Sequence, residues 1–144
     1  MIRSPHTDAE WAAYFYLRYQ ILRAPWGQPE GSEQTADEAL HQHFAFFNDA
    51  NQIIGVGRLD QTAPNEGQVR FMAVATNQQG KGIGKAIMDE IEAVCKAKGY
   101  LQIILHAREV ALPFYQKLGY HLVAPSHLLF GEIQHYLMQK TLTA

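Results

Sequence analysis

The stretch QQGKGIGKA, residues 78–86, decides how the fold of this chain is interpreted. Three glycines alternate within it and two lysines accompany them: Gly80, Gly82, Gly84, Lys81 and Lys85. The stretch follows a predicted strand and opens a predicted amphipathic helix. The first turn of a helix leaves backbone N–H groups without acceptors and carries the positive end of the helix dipole, so it attracts anions. Because glycines remove the side chains that would block a phosphate, the sequence predicts an anion-binding turn.

Two common phosphate-binding motifs do not fit this turn. A P-loop needs a glycine five positions before the glycine of its Gly-Lys pair and a Ser or Thr after the lysine, but Gln79 and Ala86 occupy those positions. A dinucleotide fingerprint needs a third glycine, where Lys85 or Ile87 stands. It also needs an acidic residue at the end of the next predicted strand, where the chain has His106. The turn is therefore predicted to hold a different phosphate-bearing ligand.

The periodicity of apolar residues predicts a mixed sheet with helices. Helices are predicted over Asp8–Arg23, Gly82–Lys98 and Val110–Leu118. Strands are predicted over His43–Phe47, Gln52–Leu59, Gln68–Ala75, Leu101–Leu105, Tyr120–Val123 and His135–Gln139. Antiparallel strands followed by a helical crossover to a parallel partner indicate the α/β class in its mixed, α+β form. A length of 144 residues predicts a single domain over 1–144.

The bulk composition narrows the class of protein. Apolar residues make up 47% of the chain and charged residues 18%, which is typical of a globular protein. A formal net charge of −2 argues against a nucleic-acid binder. No run of about 18 apolar residues predicts a membrane span, and MIRSPHTDAEW at the start does not resemble a signal peptide. One cysteine, Cys95, suits a reducing compartment, so we expect a cytoplasmic protein with neither nucleic-acid nor membrane partners.

Two motifs in the expected order resemble the GNAT family of N-acetyltransferases. Gln79–Gly84 matches the family's [Gln/Arg]-x-x-Gly-x-[Gly/Ala] turn at every fixed position. Downstream, Ala111–Tyr120 (ALPFYQKLGY) is similar to the family's A-x-x-F-Y-x-K-x-G-[Phe/Tyr] segment. Arg70–Val74 looks like the strand that precedes the family's turn. Similarity to an ElaA-like branch of the family is carried by Ala107–Glu109, Pro25–Gly27 and Gly131–His135.

The resemblance implies a central mixed β-sheet flanked by helices, with a splay between the two central parallel strands. It also implies that acetyl-CoA is the co-substrate. The pyrophosphate would lie on the turn, and the pantetheine arm would run along the preceding strand like an added strand. The implied CoA contacts are Met72, Ala73, Val74, Gln79, Gly80, Lys81, Gly82, Ile83, Gly84, Lys85, Arg108 and Tyr115. No metal site is predicted, because His41 and His43 have no third ligand at a suitable spacing.

The reaction implied by the resemblance is direct attack of a primary amine on the acetyl thioester. Tyr115 occupies the family's general-acid position and would protonate the departing thiolate. The backbone N–H of Val74 is the candidate donor to the thioester oxygen. The base does not follow from a motif, and Glu109, His106 and His135 are the alternatives. The competing hypothesis is a non-catalytic acyl-CoA-binding or sensing domain on the same fold.

The acceptor side of the site is the least explicit part of the sequence. Trp26 lies in a loop rich in proline and glycine, and it is predicted either to pack on the core or to wall an acceptor pocket. Arg108 stands where many family members carry an asparagine, so it is predicted to face an acidic group or a phosphate. We expect a pocket beside the thioester that contains Trp26, Arg108, Glu109 and His135; the alternative gives His135 a structural role in the sheet. The acceptor would be a small-molecule or peptide amine. A homodimer interface would suit two aromatic residues, Phe46 and Phe130.

Overall fold

The computed structural model describes residues 1–143, which contain three α-helices and seven β-strands. The helices are α1 (Asp8–Leu22), α2 (Ile83–Ala97) and α3 (Leu112–Lys117). The strands are β1 (Ile2–Arg3), β2 (Gln42–Phe47), β3 (Ile53–Ala63), β4 (Glu66–Val74), β5 (Gln102–Arg108), β6 (His121–Leu129) and β7 (Ile133–Thr141). Short 3₁₀ turns occur at Ala24–Trp26, Glu38–Leu40, Thr76–Gln78 and Glu109–Ala111. Every predicted helix and strand is present, whereas β1 was not predicted.

The strands form one mixed sheet in the order β1-β2-β3-β4-β5-β7-β6. Antiparallel pairs join β1 to β2, β2 to β3, β5 to β7 and β6 to β7. The pair β4–β5 is parallel, and α2 provides the crossover between these two strands. The predicted fold class, a mixed sheet flanked by helices, is confirmed.

Two compact units can be distinguished within the chain. The first comprises Met1–Leu59 and Phe71–Ile91. The second comprises Asp60–Arg70 and the chain from Glu92 to the end of the described residues. Strands β3 and β4 and helix α2 contribute residues to both units. The assignment of the whole chain to a single domain stays a prediction.

The core of the first unit lies under α1. Tyr14 and Leu17 of this helix are buried in one apolar cluster with residues of β2, β3 and β4. The members from the strands are Ala45, Phe47, Val56 and Ala73. The helix begins at a cap in which Thr7 Oγ1 accepts a hydrogen bond of 3.1 Å from the Glu10 N–H.

Two glycines of β3 determine how closely α2 packs in the first unit. A Cβ built on Gly55 would lie 2.7 Å from Ile83 Cγ2 and 2.8 Å from Ile87 Cδ1. A Cβ on Gly57 would lie 3.2 Å from Ile87 Cγ2 and 3.5 Å from Ile91 Cδ1. These isoleucines lie on the apolar face of the amphipathic helix, and all three are buried. The glycines therefore let the first turn of α2 sit directly against β3.

Strands β4 and β5 are paired over a short length only. Their register covers four residue pairs, from Glu66 opposite Gln102 to Val69 opposite Leu105, while β4 continues to Val74. The residue at the bend is Phe71, which has φ 55°, a left-handed conformation that is uncommon outside glycine. The point at which this register ends agrees with the predicted splay.

The second unit is built on β5, β7 and β6. Along β5 the buried residues Ile103, Leu105 and Ala107 alternate with half-buried residues that include His106 and Arg108. The predicted limits of this strand, Leu101–Leu105, were wrong at both ends. Leu101 is 59% exposed, and the alternation continues to Arg108 because polar side chains are tolerated on the half-buried face.

Strand β6 is also longer than predicted. It was expected to end at Val123 but continues through Pro125 to Leu129. As the last strand of the sheet it tolerates a proline, and its register with β7 shifts twice, between Leu122 and Ala124 and between Pro125 and Leu128. No helix within residues 1–143 is long and apolar enough to cross a membrane.

The helix predicted over Val110–Leu118 begins as a 3₁₀ turn, Glu109–Ala111, and becomes α-helical only at Leu112. Pro113 lies in its first turn, where the missing N–H costs nothing, and Gly119 ends it with φ 95°. The aromatic residues predicted for a dimer interface, Phe46 and Phe130, are half-buried and not exposed. The predicted homodimer stays a prediction.

Candidate active site

The turn between β4 and α2 has a backbone conformation that requires glycine. Gly80 and Gly82 have φ 81° and 83°, a region that costs other residues about 1–2 kcal/mol. A Cβ at either position would meet no atom within 4 Å, so packing does not explain these glycines. The first helical bond of α2 runs from the Ala86 N–H to the Gly82 carbonyl at 3.0 Å. The N–H groups before Ala86 therefore lack an acceptor in a preceding turn and lie at an open surface, which fits a pyrophosphate.

The polar side chains of the turn have local partners. Gln79 Nε2 donates to the Val74 carbonyl at 3.1 Å and so ties the turn to the end of β4. Lys81 Nζ lies 3.4 Å from Gln78 Oε1, and Lys85 Nζ lies 2.8 Å from Asp89 Oδ2. Both lysines are exposed; the bond of Lys81 to a neutral amide is long, and an exposed ion pair such as that of Lys85 with Asp89 is weak. The two ammonium groups are therefore able to turn toward an anion on the helix N-terminus.

The strand predicted to carry the pantetheine arm, Met72–Val74, begins directly after Phe71. The Phe71 ring is faced by the guanidinium carbons of Arg18 at 4.3 Å and Arg58 at 4.9 Å. Both arginines are fully buried, and both contact the Glu38 carboxylate, at 2.7 and 3.1 Å. The left-handed residue ahead of the predicted pantetheine strand is thus packed against a buried ionic cluster.

Tyr115 is buried on α3, with its side chain between two other aromatic rings. The ring centroids of Phe114 and Tyr120 lie 4.9 and 5.9 Å away, both edge-on. Within residues 1–143, no group makes a hydrogen bond to the Tyr115 hydroxyl. Burial raises the pKa of Tyr115 to about 12, against the opposing positive charge of Arg108. The hydroxyl therefore keeps its proton at neutral pH and is able to donate it.

Arg108 and Glu109 lie at the end of β5. Arg108 is the last residue of the strand, is half-buried, and stands directly opposite His135 on β7. Glu109 opens the 3₁₀ turn that follows and is exposed to solvent. The structure thus brings together three predicted site residues of the second unit, since Arg108 neighbours His135 and its charge acts on Tyr115.

Two of the predicted alternatives for the base are imidazoles on the same face of the second unit. His135 Nδ1 lies 3.0 Å from the Ile133 carbonyl, so it is the protonated nitrogen and Nε2 carries the lone pair of the neutral ring. Burial lowers the pKa of His135; the bond to Ile133 opposes this, and the charges of His127 and Arg108 add to it. The pKa of His106 is lowered by burial as well. Both rings are therefore neutral at pH 7, as a base must be.

A third imidazole, His127 on β6, was not predicted from the sequence. Its ring stacks on His135 at a centroid distance of 4.4 Å and an interplanar angle of 12°, and it lies 5.4 Å from the His106 ring. Nothing in the local sequence identifies it, because its position depends on a register shift in β6. No group of three or more His, Cys, Asp or Glu side chains within residues 1–143 is arranged to hold a metal ion.

Trp26 lies in the first unit, in the 3₁₀ turn that follows α1, and is half-buried. The pocket predicted to join it to Arg108, Glu109 and His135 stays a prediction. The first unit also contains an open groove of about 660 Å³ between α1 and the chain that follows β4. Its lining comprises Tyr16, Leu17, Tyr19, Gln20, Ile21, Ala24, Ala75, Thr76 and Asn77. Sequence analysis missed this groove, because one exposed tyrosine on a helix, Tyr16, is not by itself a signal for a binding site.

Comparison with known proteins identifies the family. Residues 26–142 match the model of the acetyltransferase (GNAT) domain. The chain is 27% identical over 126 residues to the uncharacterized N-acetyltransferase YjcF of Bacillus subtilis (strain 168), which covers 88% of this chain and 89% of that protein. A shorter match, 35% identical over 54 residues, is to the glucosamine 6-phosphate N-acetyltransferase of Trypanosoma brucei brucei and covers 38% of this chain and 37% of that one.

Solved structures show the same fold. An aminoglycoside 6′-N-acetyltransferase complexed with coenzyme A is similar with a TM-score of 0.84 at 16% identity, covering 100% of this chain and 98% of that one. Escherichia coli ElaA is similar with a TM-score of 0.76 at 15% identity, covering 97% of both chains. The chain belongs to the GNAT family of acetyltransferases, so the predicted family and enzyme class are confirmed.

Proposed function

We propose that this acetyltransferase moves the acetyl group of acetyl-CoA to a primary amine, which attacks the thioester directly. The observation that carries the proposal is the Tyr115 side chain, which is buried on α3 while its hydroxyl has no hydrogen-bond partner among the described residues. The hydroxyl is therefore available to donate a hydrogen bond to a bound ligand. A leaving sulfur would accept its hydrogen bond. A domain that only binds acyl-CoA has no need of such a donor.

The turn at the start of α2 is proposed to bind the CoA pyrophosphate. The backbone N–H groups of Gln79–Gly84 would donate to the phosphate oxygens, and Lys81 and Lys85 would add positive charge. The edge of β4 at Met72–Val74 would hold the pantetheine arm through backbone hydrogen bonds. The left-handed glycines and the open surface above them support this assignment, since both are features of the backbone that packing does not require.

Acetyl-CoA supplies an acetyl thioester whose carbonyl carbon is open to attack by a neutral amine. Tyr115 would donate its proton to the departing sulfur, while the Val74 N–H would donate to the carbonyl oxygen. With the pKa of Tyr115 at about 12, the phenol is a weaker acid than a thiol near 8.5, so complete transfer is uphill by roughly 5 kcal/mol. The positive charge of Arg108 opposes this rise in pKa. We therefore assign Arg108 the role of stabilising negative charge on the Tyr115 oxygen.

His135 is the best-supported base. Its Nδ1–H is held by the Ile133 carbonyl, so Nε2 is the nitrogen that would take a proton from the incoming ammonium. It is buried and neutral at pH 7, whereas Glu109 is exposed. His106 is the alternative imidazole. Each turnover would remove two protons from the ammonium nitrogen. The first would go to His135 before attack and then to water, and the second, lost as the tetrahedral intermediate collapses, would replace the proton that Tyr115 gives to the sulfur.

A covalent acetyl-enzyme is disfavoured by the state of the chain's one cysteine. Cys95 is fully buried on α2, and burial together with the charge of Glu92 raises the pKa of its thiol to about 12. The thiolate is the nucleophilic form, and it would be scarce at any physiological pH. Direct transfer is therefore favoured over a two-step route through this thiol.

Each of the two units contains a feature that indicates the chemical class of the acceptor. The groove of the first unit presents Tyr16 and Tyr19, which suits an acceptor with an apolar or aromatic portion. Arg108 in the second unit would suit an acceptor that carries a carboxylate or phosphate. Trp26 is proposed as a wall of the acceptor pocket. A small-molecule or peptide amine of this kind is the proposed substrate class.

An amine panel followed by thiol release tests the proposal. The panel should pair aromatic and aliphatic primary amines with and without a carboxylate or phosphate, and add short peptides with a free α-amine. Thiol release above the hydrolysis rate is expected with at least one of them. If calorimetry shows that CoA binds and no amine releases thiol, the chain is better described as an acyl-CoA-binding domain.

The CoA site has a matched pair of variants. Gly82→Asp places a carboxylate where a phosphate is proposed to bind, whereas Gly82→Ala imposes the same left-handed strain without the charge. Gly82→Asp should weaken CoA binding by about fivefold or more relative to Gly82→Ala, because like charges a few ångströms apart repel by at least ~1 kcal/mol. Equal affinities for the two variants would contradict the assignment of the turn.

A further inference from the structure

The exposed edge of the second unit contains an irregularity that aims one side chain. Between Pro125, which pairs with Tyr136, and Leu128, which pairs with Gln134, two residues of β6 stand opposite His135 alone. They are Ser126 and His127. An extra residue of this kind bends a strand and redirects its side chains, and such bulges occur often beside active sites.

The redirected side chain is His127, and it covers His135. The two imidazole rings are stacked at 4.4 Å with an interplanar angle of 12°, and the His127 ring also reaches to 5.4 Å from His106. Three adjacent strands thus contribute one imidazole each to a single cluster. His135 is buried within it while His127 is exposed, so the outer ring shields the inner one from water.

The side-chain amide of Gln134 contacts the backbone on two strands of the cluster. Gln134 Nε2 donates to the His135 carbonyl at 2.8 Å and lies 3.4 Å from the His127 carbonyl. The Nδ1 of His135 is held at 3.0 Å by the Ile133 carbonyl. The stacked pair is therefore fixed both at the ring and at the backbone, which a loosely placed surface histidine would not be.

We propose that His127 is a positioning residue for His135: it holds the base ring by stacking and repels a second proton from the pair. This rests on the proposed function, in which His135 accepts the proton of the amine. When the ammonium N–H bond breaks, the proton is taken up at His135 Nε2, and the resulting imidazolium remains stacked on the His127 ring. Two coupled imidazoles share one proton more readily than they take two.

Other charged and titratable groups also act on His135. On β5 these groups are His106 and Arg108. Arg70 on β4 also faces the cluster, and its guanidinium lies 3.7 Å from the carboxylate of Asp60 on β3. Glu109 lies in the turn that packs against β7. Of these, the groups that act on His135 directly lower its pKa, as His127 does. Removing His127 alone should therefore move the titration of His135 upward without restoring it fully to an ordinary histidine.

The experiment separates stacking from charge by using two variants of His127 and one control. His127→Phe keeps a flat ring over His135 without the charge, and His127→Ala removes both. His121→Ala changes another exposed histidine of β6, which pairs with Gln139 outside the cluster. Each protein is titrated by NMR of the imidazole nitrogens, and the pH dependence of thiol release is measured with an amine that the native protein accepts.

In the native protein His135 should titrate below 6.5, and in both His127 variants its midpoint should rise. His127→Ala should lose about ten- to a hundredfold of the turnover on the pH plateau, since small displacements of a reacting group are costly, and His127→Phe should recover most of that loss. His121→Ala should match the native protein. An unchanged His135 midpoint in His127→Ala, or an equal loss of turnover in the Phe and Ala variants, would overturn the proposal.

The NMR titration needs no substrate, so it separates the two hypotheses. If no amine is acetylated while the His135 midpoint moves as stated, the proposed function fails and the coupling of the two rings stands. If the native protein is active and neither the midpoint nor the pH profile responds to His127, the assignment of His127 fails alone.

Discussion

Replacing Glu38 with glutamine should destabilise the first unit more than any exposed ion pair could. The Glu38 carboxylate accepts hydrogen bonds from Arg18 at 2.7 Å and from the Thr35 N–H at 2.9 Å, and it lies 3.1 Å from Arg58. Both arginine side chains are completely buried. Glu38→Gln keeps the shape and removes the negative charge, so two buried guanidinium groups lose an anion that holds them.

Two estimates of the unfolding free energy lost in Glu38→Gln agree in size. Removing one partner of a buried ion pair typically costs about 3–5 kcal/mol. The pKa of Glu38 gives an independent figure: burial alone would raise it, but hydrogen bonds from Arg18, Thr35 and Arg58 lower it from 4.5 to about 2. That difference corresponds to ~3 kcal/mol at 1.36 kcal/mol per pH unit. We expect a loss of ~3 kcal/mol, or roughly 6–12 °C in Tm for a chain of this length.

The pH dependence of the loss identifies its cause. A carboxyl whose pKa is lowered by folding stabilises the protein fully above its ordinary pKa of 4.5 and loses this contribution as the pH falls toward about 2. The gap in unfolding free energy between the native protein and Glu38→Gln should therefore be constant from pH 7 to 5 and smaller at pH 3. Urea unfolding at these three pH values measures it.

The control is Asp37→Asn, a change in the same loop. Asp37 pairs with His41 at 2.9 Å and accepts a hydrogen bond from Thr35 Oγ1 at 2.6 Å, and its side chain is 50% exposed. Asparagine keeps an oxygen for Thr35, so the loss should be much smaller than that of Glu38→Gln. A loss below 1 kcal/mol for Glu38→Gln at pH 7, or a gap that does not shrink at pH 3, would refute the ionic account of this cluster.

Three further predictions concern the site and its scaffold. Tyr115→Phe should lower turnover by roughly ten- to a thousandfold and leave CoA affinity within about twofold in calorimetry; unchanged turnover on a good amine would remove the acid role from this residue. Gly55→Ala should cost about 1–3 kcal/mol in urea unfolding, because its Cβ would lie 2.7 Å from Cγ2 of Ile83, a stiff β-branched residue; a neutral result would mean that α2 shifts freely. In the native protein kcat/KM should fall at acid pH with a midpoint below 6.5, as His135 becomes protonated. This fall should be absent in His135→Ala; if it persists, another residue is the base.

Local sequence was sufficient to predict the backbone conformation of the turn that is proposed to bind CoA. Glycine at Gly80 and Gly82 indicates a positive φ, because other residues rarely adopt it. The apolar period of the following helix shows where the turn ends. Both signals lie within a few residues of each other. The hairpin at Asn48, where the N–H donates to the Gln52 carbonyl at 2.9 Å, is a local feature of the same kind.

The parts that were missed depend on pairing between distant segments. Whether His127 meets His135 depends on where β6 slips against β7, and neither strand carries a local signal for that slip. The buried cluster is of the same kind, because Glu38 reaches Arg18 and Arg58 from a loop whose composition looks merely polar. A charged residue in such a loop is predicted to be exposed to solvent, because its buried partners come from distant parts of the sequence.

Burial shifts the pKa values of the two groups proposed for proton transfer in opposite directions, and each shift keeps its group in the protonation state from which the reaction starts. Loss of solvent penalises the charged form, which for Tyr115 is the phenolate and for His135 is the imidazolium. The same desolvation therefore keeps the acid protonated and the base unprotonated over one shared range of pH. Arg108 acts on both groups: its positive charge adds to the effect of burial on His135, and on Tyr115 it opposes burial by favouring negative charge on the oxygen. An asparagine at position 108 would supply neither effect, so the arginine in this chain is better explained by its proximity to the two proton-transfer groups than by binding of the pantetheine arm alone.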